Sequence, residues 1–236
     1  HFLTSQEETE LNYFGGWPLV THHTTLNPNK RVHQMTDLPN SEQAEFWSDG
    51  AGQDWVTFDT QLDELFAGVN AALIKQAAPK STDKILDIGC GTGATTRDFA
   101  AHAASAHGID ISTSMLAHAQ KSAPANTTFT HADAQTEALP PHHFDHLVSR
   151  FGVMFFDDPA AAFTNLRTAL KPTGTLTLAC WAPFKQNPWF TIPRFIVTDL
   201  LGHPPSFDPR APGPFAFADP SYVLEILTDA GFTAPN

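Results

Sequence analysis

Residues 84–93 read KILDIGCGTG. A short apolar run rich in β-forming residues stops at Ile88, glycine then recurs at 89, 91 and 93, and an Ala-rich stretch opens at Ala94. This spacing predicts a strand over 84–88, a tight turn, and a helix over 94–104. A glycine-rich turn at the carboxyl end of a strand lets backbone come close to a ligand, and a Cβ at Gly89 or Gly91 is expected to intrude on that contact. The Gly-x-Gly-x-Gly spacing also departs from the Gly-x-Gly-x-x-Gly fingerprint that aims a helix N-terminus at a pyrophosphate. A ligand without phosphate therefore suits the turn better, and a nicotinamide oxidoreductase is disfavoured.

Toward the C-terminus, short apolar runs alternate with helical stretches. Strands are predicted at 107–110, 127–131, 144–149 and 175–180, with helices over 114–121 and 158–170 and a turn at Lys171-Pro172-Thr173-Gly174. Such alternation predicts an α/β fold, a mostly parallel sheet of five strands with helices on both faces. Asp110 closes the second strand and Asp133 follows the third, each 23 residues after the acid before it (110 − 87 and 133 − 110). A carboxylate ending the second strand can accept from both ribose hydroxyls, and one after the third can accept from an exocyclic adenine amine. Taken singly, either Asp suits a helix cap or turn equally well. Their joint placement at neighbouring strand tips favours the ligand.

On the N-terminal side, a short helix is expected from Ser41. Phe58, Leu62, Leu65, Phe66, Val69, Leu73 and Ile74 then recur at helical spacing and stop before Pro79. Residues 1–40 show little periodicity and are read as an irregular arm without assigned chemistry. Residues 182–218 are crowded with proline and aromatics, among them Pro188, Trp189, Phe190, Pro193, Phe207 and Phe215. They form either a lid facing a substrate or a peripheral subdomain covering a sheet edge. The expected organisation is the arm followed by one domain over 41–236. That domain comprises a helical cap at about 41–78, a nucleotide-binding core at about 82–181, the lid at about 182–218 and a last helix at about 219–230.

Composition narrows the function classes. Lys and Arg number 13 against 25 Asp and Glu, a formal charge of −12, and such a field repels phosphate backbones. Nucleic acid is a poor partner. The apolar runs fall well short of the ~20 residues a membrane span requires, which predicts a soluble protein without a span. Cys90 and Cys180 make neither a disulfide framework nor a zinc spacing, so no metal is expected and a reducing cytoplasm is the simplest compartment. No secretory leader is recognisable, although the sequence opens at His1 and not at Met. His142, His143 and His146 gather at the entry of the fourth strand, away from the predicted site, and His131 ends the third; none is nominated as a base. Cys90 is read as a small turn residue. Trp47 and Trp55 close over the site or fill the core. Asn187-Pro188-Trp189-Phe190 faintly resembles the Asn-Pro-Pro-Tyr motif of nucleic-acid amino-methyltransferases, but it follows the fifth strand and lacks the second proline, so it is read as lid packing.

Several of these segments together resemble the class I S-adenosylmethionine-dependent methyltransferases, particularly the small-molecule branch that includes ubiquinone and menaquinone biosynthesis enzymes. The markers are residues 85–93, Gly108-Ile109-Asp110-Ile111-Ser112, Ala132-Asp133-Ala134, Phe144-Asp145, Ser149-Arg150-Phe151-Gly152 and Leu170-Lys171-Pro172-Thr173-Gly174, within a likeness spanning 41–232. The resemblance implies a Rossmann-like methyltransferase sandwich, S-adenosylmethionine as cofactor with S-adenosylhomocysteine as product, and a small-molecule acceptor. It also implies a cofactor site at Asp87, Gly89, Cys90, Gly91, Asp110, Ile111, Met115, Asp133, Ala134 and Arg150. In it Gly89 and Gly91 line the methionine portion, Asp110 holds the ribose, Ile111 and Met115 pack on adenine, Asp133 and Ala134 frame its edge, and Arg150 borders the sulfonium through its backbone. Thr173 stands where many relatives have glycine. The family continues past Gly231-Phe232 into an antiparallel strand pair, so truncation, disorder or replacement by the arm is expected there. Methyl transfer is an in-line displacement that positioning and a dry pocket accelerate, with no base assigned. The alternative is an adenosyl-ligand-binding module of the same fold without catalysis.

Overall fold

In the computed structural model, described at residues 13–14, 17–18, 38–202 and 208–233, the glycine turn sits at the centre of the sheet. In chain order the elements are α1 (Ser41–Ser48), α2 (Gly50–Thr57), α3 (Asp59–Ala77), β1 (Lys84–Ile88), α4 (Ala94–Ala100), β2 (Ser105–Asp110), α5 (Thr113–Ala119), β3 (Thr127–His131), β4 (Phe144–Arg150), α6 (Pro159–Ala169), β5 (Leu170–Ala179), α7 (Pro188–Leu201) and α8 (Pro220–Asp229). The five strands are all parallel in the order β3-β2-β1-β4-β5. Chain order reverses direction on either side of β1, and a crevice opens at the carboxyl ends of strands where such a reversal occurs. Of the expected irregular arm, a minimal antiparallel pairing of Tyr13–Phe14 with Trp17–Pro18 and the turn at residues 38–40 are described. The rest of that arm, and Phe207 of the expected lid, lie outside the described residues.

Alternation along the strands divides the core into two layers. Leu86, Ile88 and Leu147 face Phe163, Leu166, Ile226 and Leu227 of α6 and α8. Ile85 and Val148 face Leu73 of α3 and Phe99 of α4. Both faces of β1 and β4 are thereby covered, as a parallel sheet requires. Phe99 and Phe163 are fully buried, each worth about 1.5–3 kcal/mol relative to exposure. No described helix is long and apolar enough to cross a membrane.

Three local readings change. The helix expected over 94–104 ends at Ala100, because Asn126 Nδ2 donates to the Ala100 carbonyl at 2.8 Å and Ala104 N turns away to Asp83 O at 2.9 Å. The turn expected at 171–174 is an outward bulge within β5: Phe144 pairs with Leu170, but His146 already pairs with Thr175. Lys171 Nζ ties the bulge to both Asp145 oxygens at 2.8 Å. Thr173 does not adopt a positive φ, so this turn does not require the glycine of relatives. Residues 188–201 are helical where sequence periodicity shows only a proline-rich segment. Pro188 occupies the first turn, where its missing N–H costs nothing, and Pro193 is carried inside.

The cap holds a further helix, α2, whose glycines conceal it from propensity. At Gly52 a Cβ would lie 1.7 Å from the Trp47 carbonyl oxygen, so only glycine lets α2 fold back on α1. Gly52→Ala is expected to destabilise the protein by about 1–3 kcal/mol through forced separation of the two helices. Urea denaturation of variant and parent checks this, and an unchanged midpoint would refute the packing account.

Candidate active site

The loop leaving β1 has a shape imposed by its own hydrogen bonds. Gly89, Gly91 and Gly93 have φ of 65°, 55° and 86°, a region open to glycine and strained for other residues. Gly89 N and Cys90 N both donate to Ile109 O, at 2.9 and 3.1 Å. Asp110 Oδ2 accepts from Gly91 N and its Oδ1 from Ser112 N, each at 2.7 Å. One carboxylate thus clamps the β1 loop to the start of α5, and each of its oxygens retains acceptor capacity. Ser112 Oγ then donates to Trp47 O at 2.6 Å while accepting from Met115 N, so a single hydroxyl caps α5 and anchors the helical cap.

The sequence reading attributes the glycine at 89 to ligand approach. The structure supplies a different reason: a Cβ there would lie 2.7 Å from Gly152 Cα, and one on Gly152 would lie 2.7 Å from Gly89 Cα and 2.6 Å from Ile88 O. The β1 and β4 loops cross backbone to backbone. Ser149 Oγ fastens the crossing by donating to Ile88 O at 2.7 Å. Phe151, between them, is held at φ 69°, an outlier for a bulky residue of the kind that gathers at functional sites. At Gly91 a Cβ would meet Met115 Sδ at an ordinary 3.5 Å, so its positive φ alone calls for glycine.

Above these tips lies an open-mouthed, largely apolar cleft, the concave kind of site that small ligands occupy. Gly89, Cys90, Gly91, Asp110, Ile111, Met115, Asp133, Ala134 and Arg150 all border it. Asp87 does not. It is wholly buried beneath the loop, with Oδ2 accepting from Thr96 Oγ1 at 2.6 Å and Oδ1 without a hydrogen-bond partner. Burial pushes its pKa from 3.8 up to about 7, against the opposing pull of Thr96 and the Arg150 charge. Arg150 is nearly enclosed, with Nη2 3.7 Å from Asp63 Oδ1 and its guanidinium over the Phe66 ring.

One end of the cleft is polar, formed by Asp110, Asp133 and the bare loop. The other is aromatic. Trp55 stacks with Phe66 and Phe151 stacks on Trp181 at 4.8 Å, while Trp47 packs edge-on against Phe155 at 5.0 Å beside Met115 and Ile111, nearer the polar end. Trp189 and Phe190, from the first turn of α7, border the same space, so residues of the expected lid segment do reach it. Trp47 and Trp55 are at once cleft wall and core.

The remaining candidates settle as follows. His146 bridges Thr175 and Asp83, and His142 and His143 contact Leu170 O and Lys84, all at the amino ends of the strands. His131 touches Ile111 O at the rim. Asn187 donates to the Ala182 and Pro183 carbonyls and so serves as a loop tie. Burial drives the Cys90 thiol pKa well up, which keeps it protonated and unreactive. Sequence reasoning missed Asn40, Phe151 and Trp181: nothing in their spacing shows that separate segments converge there.

A family model described as a methyltransferase domain matches residues 85–174, from β1 to the bulge of β5. Aklanonic acid methyltransferase DauC of a Streptomyces species is 29% identical over 163 residues, 66% of this chain and 69% of that one. An O-methyltransferase of Pyrenophora dematioidea is 27% identical over 198 residues, 77% and 74% of the two chains. The alignment with an uncharacterized methyltransferase of Mycobacterium tuberculosis, 32% identical over 108 residues, covers 45% of this chain and only 55% of that protein. Phosphoethanolamine N-methyltransferase 2 of Haemonchus contortus, solved with S-adenosyl-L-methionine, superposes with a TM-score of 0.51 at 26% identity over 70% of this chain and 36% of its own. Residues 85–174 are a methyltransferase domain, and the relatives make this chain an S-adenosylmethionine-dependent methyltransferase.

The residues of this methyltransferase fit a cationic adenosyl cofactor. An unpartnered buried carboxylate oxygen at Asp87 favours positive charge near the loop, and Asp110 keeps free lone pairs facing the cleft. The folded state holds the Asp87 proton more tightly than the unfolded chain, so the stability this carboxyl confers falls as pH rises from about 4 to about 7. The unfolding free energy of the parent relative to Asp87→Asn is therefore expected to decline across that window and to level off above it. Urea titrations at stepped pH measure the difference. A flat difference would show that burial does not hold the proton on Asp87.

Proposed function

We propose that the methyltransferase alkylates a small, flat, mostly apolar acceptor held between the aromatic walls of the cleft, in the cytoplasm, with the ten sequence-derived residues serving the cofactor. S-adenosylmethionine, when bound, supplies an electrophilic methyl on a sulfonium whose charge is lost on transfer. Asp110 accepts from the ribose hydroxyls with the lone pairs left after Gly91 and Ser112. Ile111 and Met115 pack on adenine, Asp133 with Ala134 faces its amine edge, and Gly89 and Gly91 run beside the methionine portion with Cys90 filling the turn. Asp87 supports the loop from below through its bond from Thr96, and Arg150 borders the sulfonium end. The carrying observation is the convergence of three strand tips on one open cleft, bare backbone at the first and a carboxylate after each of the next two.

Phe66, Phe151, Trp181 and Phe190 form a cluster of ring contacts at the other end of that cleft. Rings of this kind recognise flat apolar groups by stacking and expel water, which strengthens the electrostatics of transfer. The printed names of the relatives, an aklanonic acid methyltransferase and an O-methyltransferase, are consistent with a small-molecule acceptor. Among the described cleft residues the ionisable side chains are Cys90, Asp110, Asp133 and Arg150. With those committed to loop and cofactor, rate enhancement rests on alignment and dryness.

S-adenosylhomocysteine at about 100 times its dissociation constant should stabilise the protein by roughly 2.7 kcal/mol. Asp110→Ala should remove that response, and nicotinamide dinucleotides should produce none. A response to dinucleotides alone would defeat the proposal. Labelled S-adenosylmethionine incubated with a metabolite extract should place label in apolar products. Trp181→Ala should lower that transfer by about 10-fold or more while changing cofactor affinity by less than about 3-fold. Equal losses in both would remove the acceptor role from the aromatic wall.

A further inference from the structure

Asn40 falls in the stretch that the sequence reading leaves without chemistry, yet it is one of the least exposed polar residues of the protein, at 2%. It stands at the N-cap of α1 with φ 58°, but its side chain does not cap the helix. The amide is spent across the cleft floor instead. Nδ2 donates to Asp133 Oδ1 at 2.9 Å, to Asp133 Oδ2 at 3.1 Å and to Gln135 Oε1 at 3.1 Å. Oδ1 accepts from Asp157 N at 2.7 Å, and Asn40 N donates back to the Asp157 carboxylate. Gln135 Oε1 also accepts from Asp158 N. One side chain therefore joins the cap, the loop after β3 and the loop after β4, and both Asn40 and Asp133 border the cleft.

The acceptor count on Asp133 gives this knot a consequence for the ligand. Oδ1 already receives Asn40 Nδ2 and Gln135 N, the latter at 2.9 Å. Oδ2 receives Asn40 Nδ2 at 3.1 Å and only a long 3.4 Å contact from Thr136 Oγ1. Asn40 Nδ2 has two hydrogens for these three acceptors, so the two Asp133 oxygens share one of them, and Oδ2, with otherwise only the long Thr136 contact, has more room for a ligand amine than Oδ1. Asn40 fixes the plane of the carboxylate and decides which oxygen is the more available.

We propose that Asn40 is a positioning residue for base recognition, holding Asp133 so that one carboxylate oxygen reads the exocyclic amine of the cofactor's adenine while the helical cap is latched over the site. The proposal rests on the adenosyl reading of the cleft given above. Discrimination between adenine and hypoxanthine then comes from Asn40 and Asp133 acting together, since a hypoxanthine ring would turn a carbonyl toward the same oxygen.

The test compares binding of S-adenosylhomocysteine and S-inosylhomocysteine by titration calorimetry to the full chain and to Asn40→Ala. The parent should prefer the adenosyl ligand by about 10-fold or more, the scale of a hydrogen bond to a charged group. In Asn40→Ala that preference should shrink to within about 3-fold, through loss of adenosyl affinity. Asn40→Asp, which keeps the acceptor toward Asp157 but sets a carboxylate against Asp133, should lose the preference likewise. A merely structural Asn40 would weaken both ligands equally or neither, leaving the preference intact, and that result overturns the proposal. Hydrogen exchange on the parent tests the same point without substitution: the amides of Asn40 and Asp157 should slow more with the adenosyl than with the inosyl ligand, and equal slowing would also overturn it. Failure of the parent to bind S-adenosylhomocysteine would instead reject the underlying cleft assignment.

Discussion

Two glycines at the tips of adjacent strands lie in backbone contact, and the site takes its form from that crossing. Gly89 and Gly152 leave no space between them for a methyl group on either. Because the β1 and β4 loops meet there, the chain leaving β1 turns toward β2 and the chain leaving β4 turns toward the aromatic wall. Ser149 locks the arrangement through the Ile88 carbonyl, so the two tips behave as one rigid floor. Any reaction that depends on alignment gains from such a floor, because its atoms are placed before a ligand arrives.

From that floor a chain of short hydrogen bonds runs outward. Asp110 ties the glycine loop to Ser112, Ser112 ties α5 to Trp47, and Trp47 is part of the roof. Stability and function therefore share groups. Asp110 is almost completely buried and its pKa is raised by desolvation, offset by the N–H groups of Ser112 and Gly91. Asp87 carries an unsatisfied oxygen in the interior, an energetic cost that a domain bears where a charge is needed. The methyltransferase concentrates both costs directly under its cleft.

The two ends of the cleft work by different physics. Directed backbone and carboxylate groups at the polar end select by hydrogen-bond geometry, in which tenths of an ångström matter. The aromatic end selects by shape and desolvation, and its rings come from α2, α3, the loop after β4 and the segment following β5. A common floor with replaceable walls is a means by which one fold serves many acceptors.

The strands, their parallel arrangement and the three strand-tip positions were legible in the sequence, because each depends on local pattern: alternation of apolar runs with helices, glycine where φ is positive, and acids at constant spacing. The candidates other than Asp87 border one cleft. What only tertiary structure decided was every relation between segments distant along the chain. Asn40 meets Asp157 across 117 residues, Gly89 is glycine because of Gly152, and α2 exists because Gly52 fits under Trp47. None of these leaves a periodic trace. A contact between remote residues is set by how the layers pack, and one sequence offers no spacing from which to read it.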